Sequence, residues 1–296
     1  VNLIKFNVGA KNVLHPEHTW INTDFWQVFD PSKYDIIQTG RAGHPEYPFT
    51  LINDTPIVDS IHLAGMAENK ENVKMTVLVS SEQREKWVSA GGDRNKSVIV
   101  SVPVIVPEVR KKCYRQELGL TNKFVFGMHQ RDDDGIFSPI PLEAFSKIEN
   151  DKNFFLLLGG SKKYQQQADE LGLRNVAFLE TTSDVNKIHQ FLKTLDVYAH
   201  GRNDGEQCSS AIIEAMSHGL PLISHEAPSM GQKEQIGDAG EVVCDSTNYF
   251  QVMLRMMKDN EYYSRCSKNS LFRYENIYDV DSIINQYIKI YESIIK

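Results

Sequence analysis

The sequence predicts an α/β protein built from two Rossmann-like, doubly wound parallel sheets, the first short and atypical. Three observations carry this expectation. Apolar runs of strand length alternate with stretches whose apolar residues recur at helical spacing, from Tyr34 to Cys244. The loops joining them are short, as in βαβ units whose helix returns the chain to a parallel neighbour. The stretch Gly205–Ser224, GEQCSSAIIEAMSHGLPLIS, condenses the pattern into a loop, a helix, a turn and a strand.

At 296 residues, 41% of them apolar, the chain can build two cores. Residues 1–107 are expected to form one domain and 108–296 the other, with part of 280–296 packing on the first. In the first, Leu3–Val8, Tyr34–Thr39, Pro56–His62, Thr76–Ser81 and Lys96–Val106 read as strands, and Trp20, Phe25, Trp26 and Phe29 as core aromatics. Ser80 or Ser81 caps a helix running through Trp87, since a serine hydroxyl accepts from an orphan N–H of the first turn. A charged helix over Glu108–Leu120 links the halves. Then come strand Lys123–His129, helix Pro141–Ile148, strand Phe154–Gly160, helix Tyr164–Leu171, strand Val176–Glu180, helix Val185–Leu195 and strand Asp196–His200. Glu241–Cys244 is a last strand. Ile283, Ile284, Tyr287, Ile288, Tyr291 and Ile294 recur at helical spacing in a closing helix.

Within Gly205–Ser224, Ser209 and Ser210 read as N-cap residues, and Gly219 with Pro221 stops the helix. Glu206 and Glu214 frame the helix start with seven residues between them. Unpaired N–H groups and the positive dipole end at Ser209–Ser210 suit a phosphate. Carboxylates beside a phosphate repel it unless they hold hydroxyls, so the arrangement suits a sugar phosphate such as a nucleotide sugar. A surface loop acid next to a solvated helix acid would share this spacing.

Glu206, then seven residues, Glu214-Ala-Met and Gly219-Leu-Pro resemble the signature of retaining glycosyltransferases of the GT-B fold, family 4, or glycosyl transferases group 1. Gln207-Cys208-Ser209-Ser210 stands where that family usually has Pro-Phe-Gly-Leu. The resemblance implies two Rossmann-like domains facing a cleft, with Glu206 on the donor sugar, Glu214 on the ribose and the Ser209 and Ser210 amides on phosphate. Gln207 and Cys208 belong to the same donor-binding loop. Pro56–His62 is similar to a strand that ends in a histidine facing the cleft, so His62 joins Glu206 and Arg131 as a catalytic candidate. Arg131, in Gly127–Gly135, takes the place of an arginine directed to the donor diphosphate, for which its fork of donors is suited. Asp134 stands where a lysine is usual, and Lys162 or Lys163 could offset it. The implied reaction moves a sugar from a UDP-, GDP- or TDP-sugar to a hydroxyl of a glycan, lipid-linked or protein acceptor. It retains the anomeric configuration and needs neither metal nor cofactor.

Two other readings stay open. One is a non-catalytic nucleotide-sugar or glycan binding module, motivated by the short first half and Asp134. The other is a sugar-nucleotide epimerase. Asp132–Asp134 also spells the D-x-D by which other glycosyltransferases hold a divalent ion. His200 and Arg202 lead into the Glu206 loop, and Glu234 is read as supporting it. A net charge of −7 argues against a general nucleic-acid binder. No apolar run is as long as a bilayer span, and no signal peptide is visible, so the cytoplasm is expected. Cys113, Cys208, Cys244 and Cys266 are scattered without a C-x-x-C pair, which favours reduced thiols over zinc. No G-x-G-x-x-G follows a strand, against a dinucleotide oxidoreductase.

Overall fold

The structure, a computed structural model, describes residues 12–15, 18–22, 29–41, 52–62, 67, 70–107 and 113–295. The chain divides into two units, 1–101 with 284–296, and 102–283.

The first unit holds a four-stranded parallel sheet in the order of the chain: β3 (Ile37–Arg41), β4 (Ile57–Ile61), β5 (Val73–Leu78) and β6 (Ser97–Ile99). An antiparallel pair, β1 (Asn12–His15) and β2 (His18–Asn22), is an addition to the expected parallel pattern. Every residue of β4 is buried: Ile57, Val58 and Ile61 are apolar, and the Asp59 carboxylate accepts from Thr39 Oγ1 at 2.7 Å. Helix α1 (Ser81–Ser89) follows β5, and the Ser80 hydroxyl accepts from Gln83 N at 3.2 Å, the cap expected of it. The strand expected over Lys96–Val106 shrinks to β6, because prolines at 103 and 107 cannot donate to a ladder. The expected strand Leu3–Val8 lies outside the described residues. Of the linking helix expected over Glu108–Leu120, residues 108–112 also lie outside the described residues; its described part, 113–120, is turns rather than helix. There the Arg115 guanidinium donates to Lys123 O and Asp196, and Gly119 adopts φ +67°.

The second unit holds a six-stranded sheet whose pairings are all parallel: β7 (Phe124–Gln130), β8 (Asn153–Gly159), β9 (Val176–Leu179), β10 (Val197–Ala199), β12 (Leu222–His225) and β14 (Gly240–Val243). Their spatial order is β14-β12-β10-β7-β8-β9. The chain therefore winds outward from β7 to β9, then returns to the other side of β7 and winds outward again. A two-stranded parallel ribbon, β11 (Gly205–Glu206) with β13 (Ser229–Met230), lies between these elements in sequence. The helices are α2 (Ile140–Ser146), α3 (Lys163–Glu170), α4 (Val185–Leu192), α5 (Ser210–Ser217), α6 (Gly231–Ile236), α7 (Ser246–Lys258), α8 (Asn260–Arg273) and α9 (Val280–Ile295).

This sheet is apolar on both faces because helices cover both. Phe126, Phe145 and Phe155 are fully buried and stack edge to face in one cluster. Gly127 sits inside β7 because a Cβ there would collide with Leu156 O of β8. The Asp196 carboxylate accepts from Val125 N at 2.7 Å and Arg115 at 2.6 Å, pinning the start of β10 to β7. At the other end the buried Tyr249 hydroxyl of α7 donates to His200 O at 2.9 Å. Helix α9 carries residues 284–295 of the first unit, where the Tyr287 hydroxyl meets Ser60 Oγ at 3.3 Å and Tyr291 donates to Gln38.

Candidate functional site

The winding of the second sheet reverses between β7 and β10. Strands that diverge from such a point leave a crevice beyond their carboxyl ends, where doubly wound folds bind ligands. His129, Gln130 and Arg131 leave β7 there, and His200 and Arg202 leave β10. With Leu158, Thr181, Thr182, Cys208, Ala211 and both acids they line a cavity of about 420 Å³. That volume falls in the usual range for a small-molecule site.

Glu206 is delivered by β11. Gly205 adopts φ +73°, and a Cβ on it would collide with Ser229 O of β13, so only glycine lets the two strands close. Glu206 N donates to Gln232 Oε1 of α6 at 3.0 Å. The Glu206 carboxylate is held on one oxygen. Oε1 accepts from Arg202 Nη1 at 3.2 Å and Ser209 Oγ at 3.3 Å, and lies 3.9 Å from His200 Nε2. Oε2 has no partner among the described residues.

Helix α5 begins at Ser210. Ser209 occupies the N-cap position, yet its hydroxyl does not cap the helix but donates to Glu206. Its N–H is donated to Gln235 Oε1 at 2.9 Å, and its carbonyl accepts from Gln235 Nε2 at 2.8 Å. The orphan N–H groups of the first turn are therefore those of Ser210, Ala211 and Ile212, one residue later than the sequence suggested. Gln207 is buried and does not line the cavity; its amide donates to Ser229 Oγ at 3.2 Å. Cys208 does line it.

Glu214 faces the same cavity from the second turn of α5. Its Oε2 pairs with His129 Nε2 at 2.8 Å, both side chains largely enclosed. The other imidazole nitrogen of His129 faces the Tyr198 hydroxyl at 3.3 Å. The phenol of Tyr198 is fully buried, which pushes its pKa well up and keeps it neutral. His129 is the main residue that the sequence reading passed over. Its position at the carboxyl end of the first strand of a doubly wound sheet was the available signal.

Arg131 lines the cavity with its side chain 64% exposed, held at 2.9 Å by Asp133. Asp134 turns away to accept from Ser161 and lies 3.8 Å from Lys163, so the acid that stands for a lysine does not line the cavity. The three aspartates of Asp132–Asp134 thus do not converge. Among the described residues no group of three His, Cys, Asp or Glu side chains could hold a metal. Glu234 is exposed; Gln232 and Gln235, on the buried face of α6, bond the loop at Glu206 N and Ser209 N. His62 ends β4 in the first unit, where it is exposed, and it does not line this cavity.

Behind α5 lies a histidine pair. His189 Nδ1 and His218 Nε2 are 2.7 Å apart, and His189 Nε2 is buried without a partner. Burial first, then the neighbouring His189, pushes His218 down from 6.5 to about 4. Burial also lowers His189, although Glu214 opposes the shift. Between those pH values the unfolded chain binds protons that the fold excludes. Stability present above about pH 6.5 is therefore lost as pH falls towards about 4. The urea midpoint of His218→Gln is expected to fall less across that window than that of the unmodified chain; equal falls would contradict this origin.

Residues 140–271 match the model of the family described as glycosyl transferases group 1. No protein of curated function matches the sequence. Among solved structures, Alr3699/HepE of Anabaena in complex with UDP and glucose superposes with TM-score 0.73 at 20% identity, over 88% of this chain and 78% of that one. A glycosyltransferase from Rickettsia africae gives 0.73 at 15% identity, over 90% and 78%. The sucrose-phosphate synthase of Thermosynechococcus elongatus gives 0.69 at 18% identity, over 88% and 74%. The fold is that of GT-B glycosyltransferases.

Proposed function

From a chain that carries a glycosyl transferases group 1 domain over residues 140–271, we propose a transferase that moves a sugar from a UDP-sugar to an acceptor hydroxyl with retention of configuration. One observation carries the reading: Glu206 and Glu214 flank the open first turn of α5 in a single cavity. The diphosphate sits on the N–H groups of Ser210, Ala211 and Ile212, where the helix dipole favours an anion. Arg131, with its exposed fork, offsets charge on the departing phosphate. Glu214 holds the ribose hydroxyls beside His129, and Oε2 of Glu206 accepts from the sugar. In transfer, the bond from the anomeric carbon to the phosphate oxygen breaks and a bond to the acceptor oxygen forms on the same face. The acceptor's proton leaves with the released phosphate.

UDP is favoured because Alr3699/HepE was solved with UDP-glucose as well as with UDP and glucose. The first unit is the acceptor side, with His62 at its strand end, and the acceptor is a glycan, a lipid-linked group or a protein. No group in this scheme requires a metal. The place of action is the cytoplasm, where the four cysteines, all free, stay reduced. Among the described residues no helix is long and apolar enough to cross a membrane.

Incubation with UDP-glucose, followed by resonance assignment of the released or transferred sugar, tests the reading. It predicts UDP release with the α-configuration kept at the first-formed product. A β-configured product would contradict retention, an epimerised donor would favour the epimerase, and binding without turnover would favour the non-catalytic module.

A further inference from the structure

We propose that Arg202 is a positioning residue for Glu206: it holds one carboxylate oxygen so that the other is a fixed acceptor for a hydroxyl of the donor sugar. The inference rests on the donor-site reading above. Two arginines line the cavity, and each stands two residues before an aspartate, Arg131 before Asp133 and Arg202 before Asp204. Their surroundings differ. Arg131 is largely exposed and meets one acid. Arg202 is 19% exposed and lies between two. Its Nε and Nη2 pair with the two oxygens of Asp204 at 2.5 and 2.9 Å, a fork-to-fork contact that fixes the guanidinium plane. Asp204 is itself anchored, since its carbonyl accepts from Ser229 N at 3.0 Å at the edge of the β11–β13 ribbon. The remaining Nη1 of Arg202 then reaches Glu206 Oε1.

The consequence is geometric and electrostatic. Ser209 Oγ bonds that same Oε1, and His200 Nε2 approaches it. His200 is steadied in turn by Ser224 Oγ at 2.9 Å from its Nδ1. A glutamate loses rotamer freedom when it orders on a ligand; here the ordering precedes the ligand. With Arg202 absent, Glu206 regains rotamer freedom and orders only when the sugar binds, a cost that falls on UDP-glucose and not on UDP. Arg202 meanwhile has both faces of its fork engaged by carboxylates, so it is not free to neutralise a diphosphate. That charge falls to Arg131 and the helix.

Titration of UDP and of UDP-glucose into the full chain, with UDP release from UDP-glucose as the rate, separates these roles. Arg202→Gln is expected to lower kcat about tenfold and UDP-glucose affinity about fivefold, the scale of one charged hydrogen bond, with UDP affinity unchanged within about twofold. Asp204→Asn moves the same quantities by less, and Arg202→Lys restores part of the loss. Adding Arg202→Gln to Glu206→Gln costs nothing further. Equal losses for UDP and UDP-glucose would overturn the proposal, because Arg202 would then act on phosphate or on the fold. Losses that multiply in the double variant would overturn it too. If Arg202→Gln does not fold, Asp204→Asn and Arg202→Lys carry the same comparison. The donor-site reading fails separately: Glu206→Gln alone would leave both titrations and the rate unchanged, or the unmodified chain would bind neither compound.

Discussion

Replacing Glu214 by alanine is expected to lower UDP affinity about a hundredfold with little change in the fold. Each hydrogen bond from a ribose hydroxyl to a carboxylate contributes about 1.5–3 kcal/mol when desolvated, and two such bonds at the lower end give roughly that factor. The carboxylate also pairs with His129 at 2.8 Å, so its removal leaves an imidazole on the cavity wall without its partner. Both side chains line the cavity but are largely enclosed, so the imidazole nitrogen left without a partner costs about 1–3 kcal/mol of stability. Glu214→Gln keeps the shape, loses the charge and should fall in between. Calorimetric titration with UDP checks the series. An affinity within about twofold of the unmodified chain, in a protein that melts normally, would take Glu214 out of the ribose site.

A valine at Gly231 should damage both fold and site. Gly231 opens α6 directly after the ribbon strand Ser229–Met230, and any Cβ on it would run into the carbonyl of Gln207. Both sides of that clash are backbone, so neither can move without opening the β11–β13 ribbon. Overpacking of this kind costs about 1–3 kcal/mol, with more where the backbone must shift. The displaced ribbon carries Glu206, whose N–H depends on Gln232 in the same helix. Gly231→Val is therefore expected to lower the urea midpoint and to abolish UDP-glucose binding even below the transition. Gly40→Ala, where no atom lies within 4 Å of the added carbon, serves as the matched control. A Gly231→Val protein with unaltered midpoint and affinity would show that the ribbon does not set the site.

What the sequence made legible is what depends on near neighbours along the chain. The alternation of strand and helix in 123–258, the start of α5, and the Glu206–Glu214 spacing are all local, and each appears where the periodicity put it. What was illegible depends on partners brought from afar. His129 and Glu214 lie 85 residues apart in sequence and meet only because β7 adjoins the reversal of the sheet. Ser209 looked like a cap, but Gln235, 26 residues on, takes its N–H, and Glu206 takes its hydroxyl. Asp134 appeared to oppose a diphosphate until Ser161 drew it aside. Residues 113–120 read as helix from their charge pattern, yet Arg115 is committed to Lys123 and Asp196 instead, and tertiary demand outweighs a weak propensity.

A crystal structure of the chain soaked with UDP-glucose tests the donor site most directly. It should show the diphosphate against the N–H groups of residues 210–212, the ribose at Glu214, and a glucose hydroxyl on Oε2 of Glu206. A nucleotide lodged away from the β7–β10 reversal, or one bound there with both glutamates turned to solvent, would contradict it.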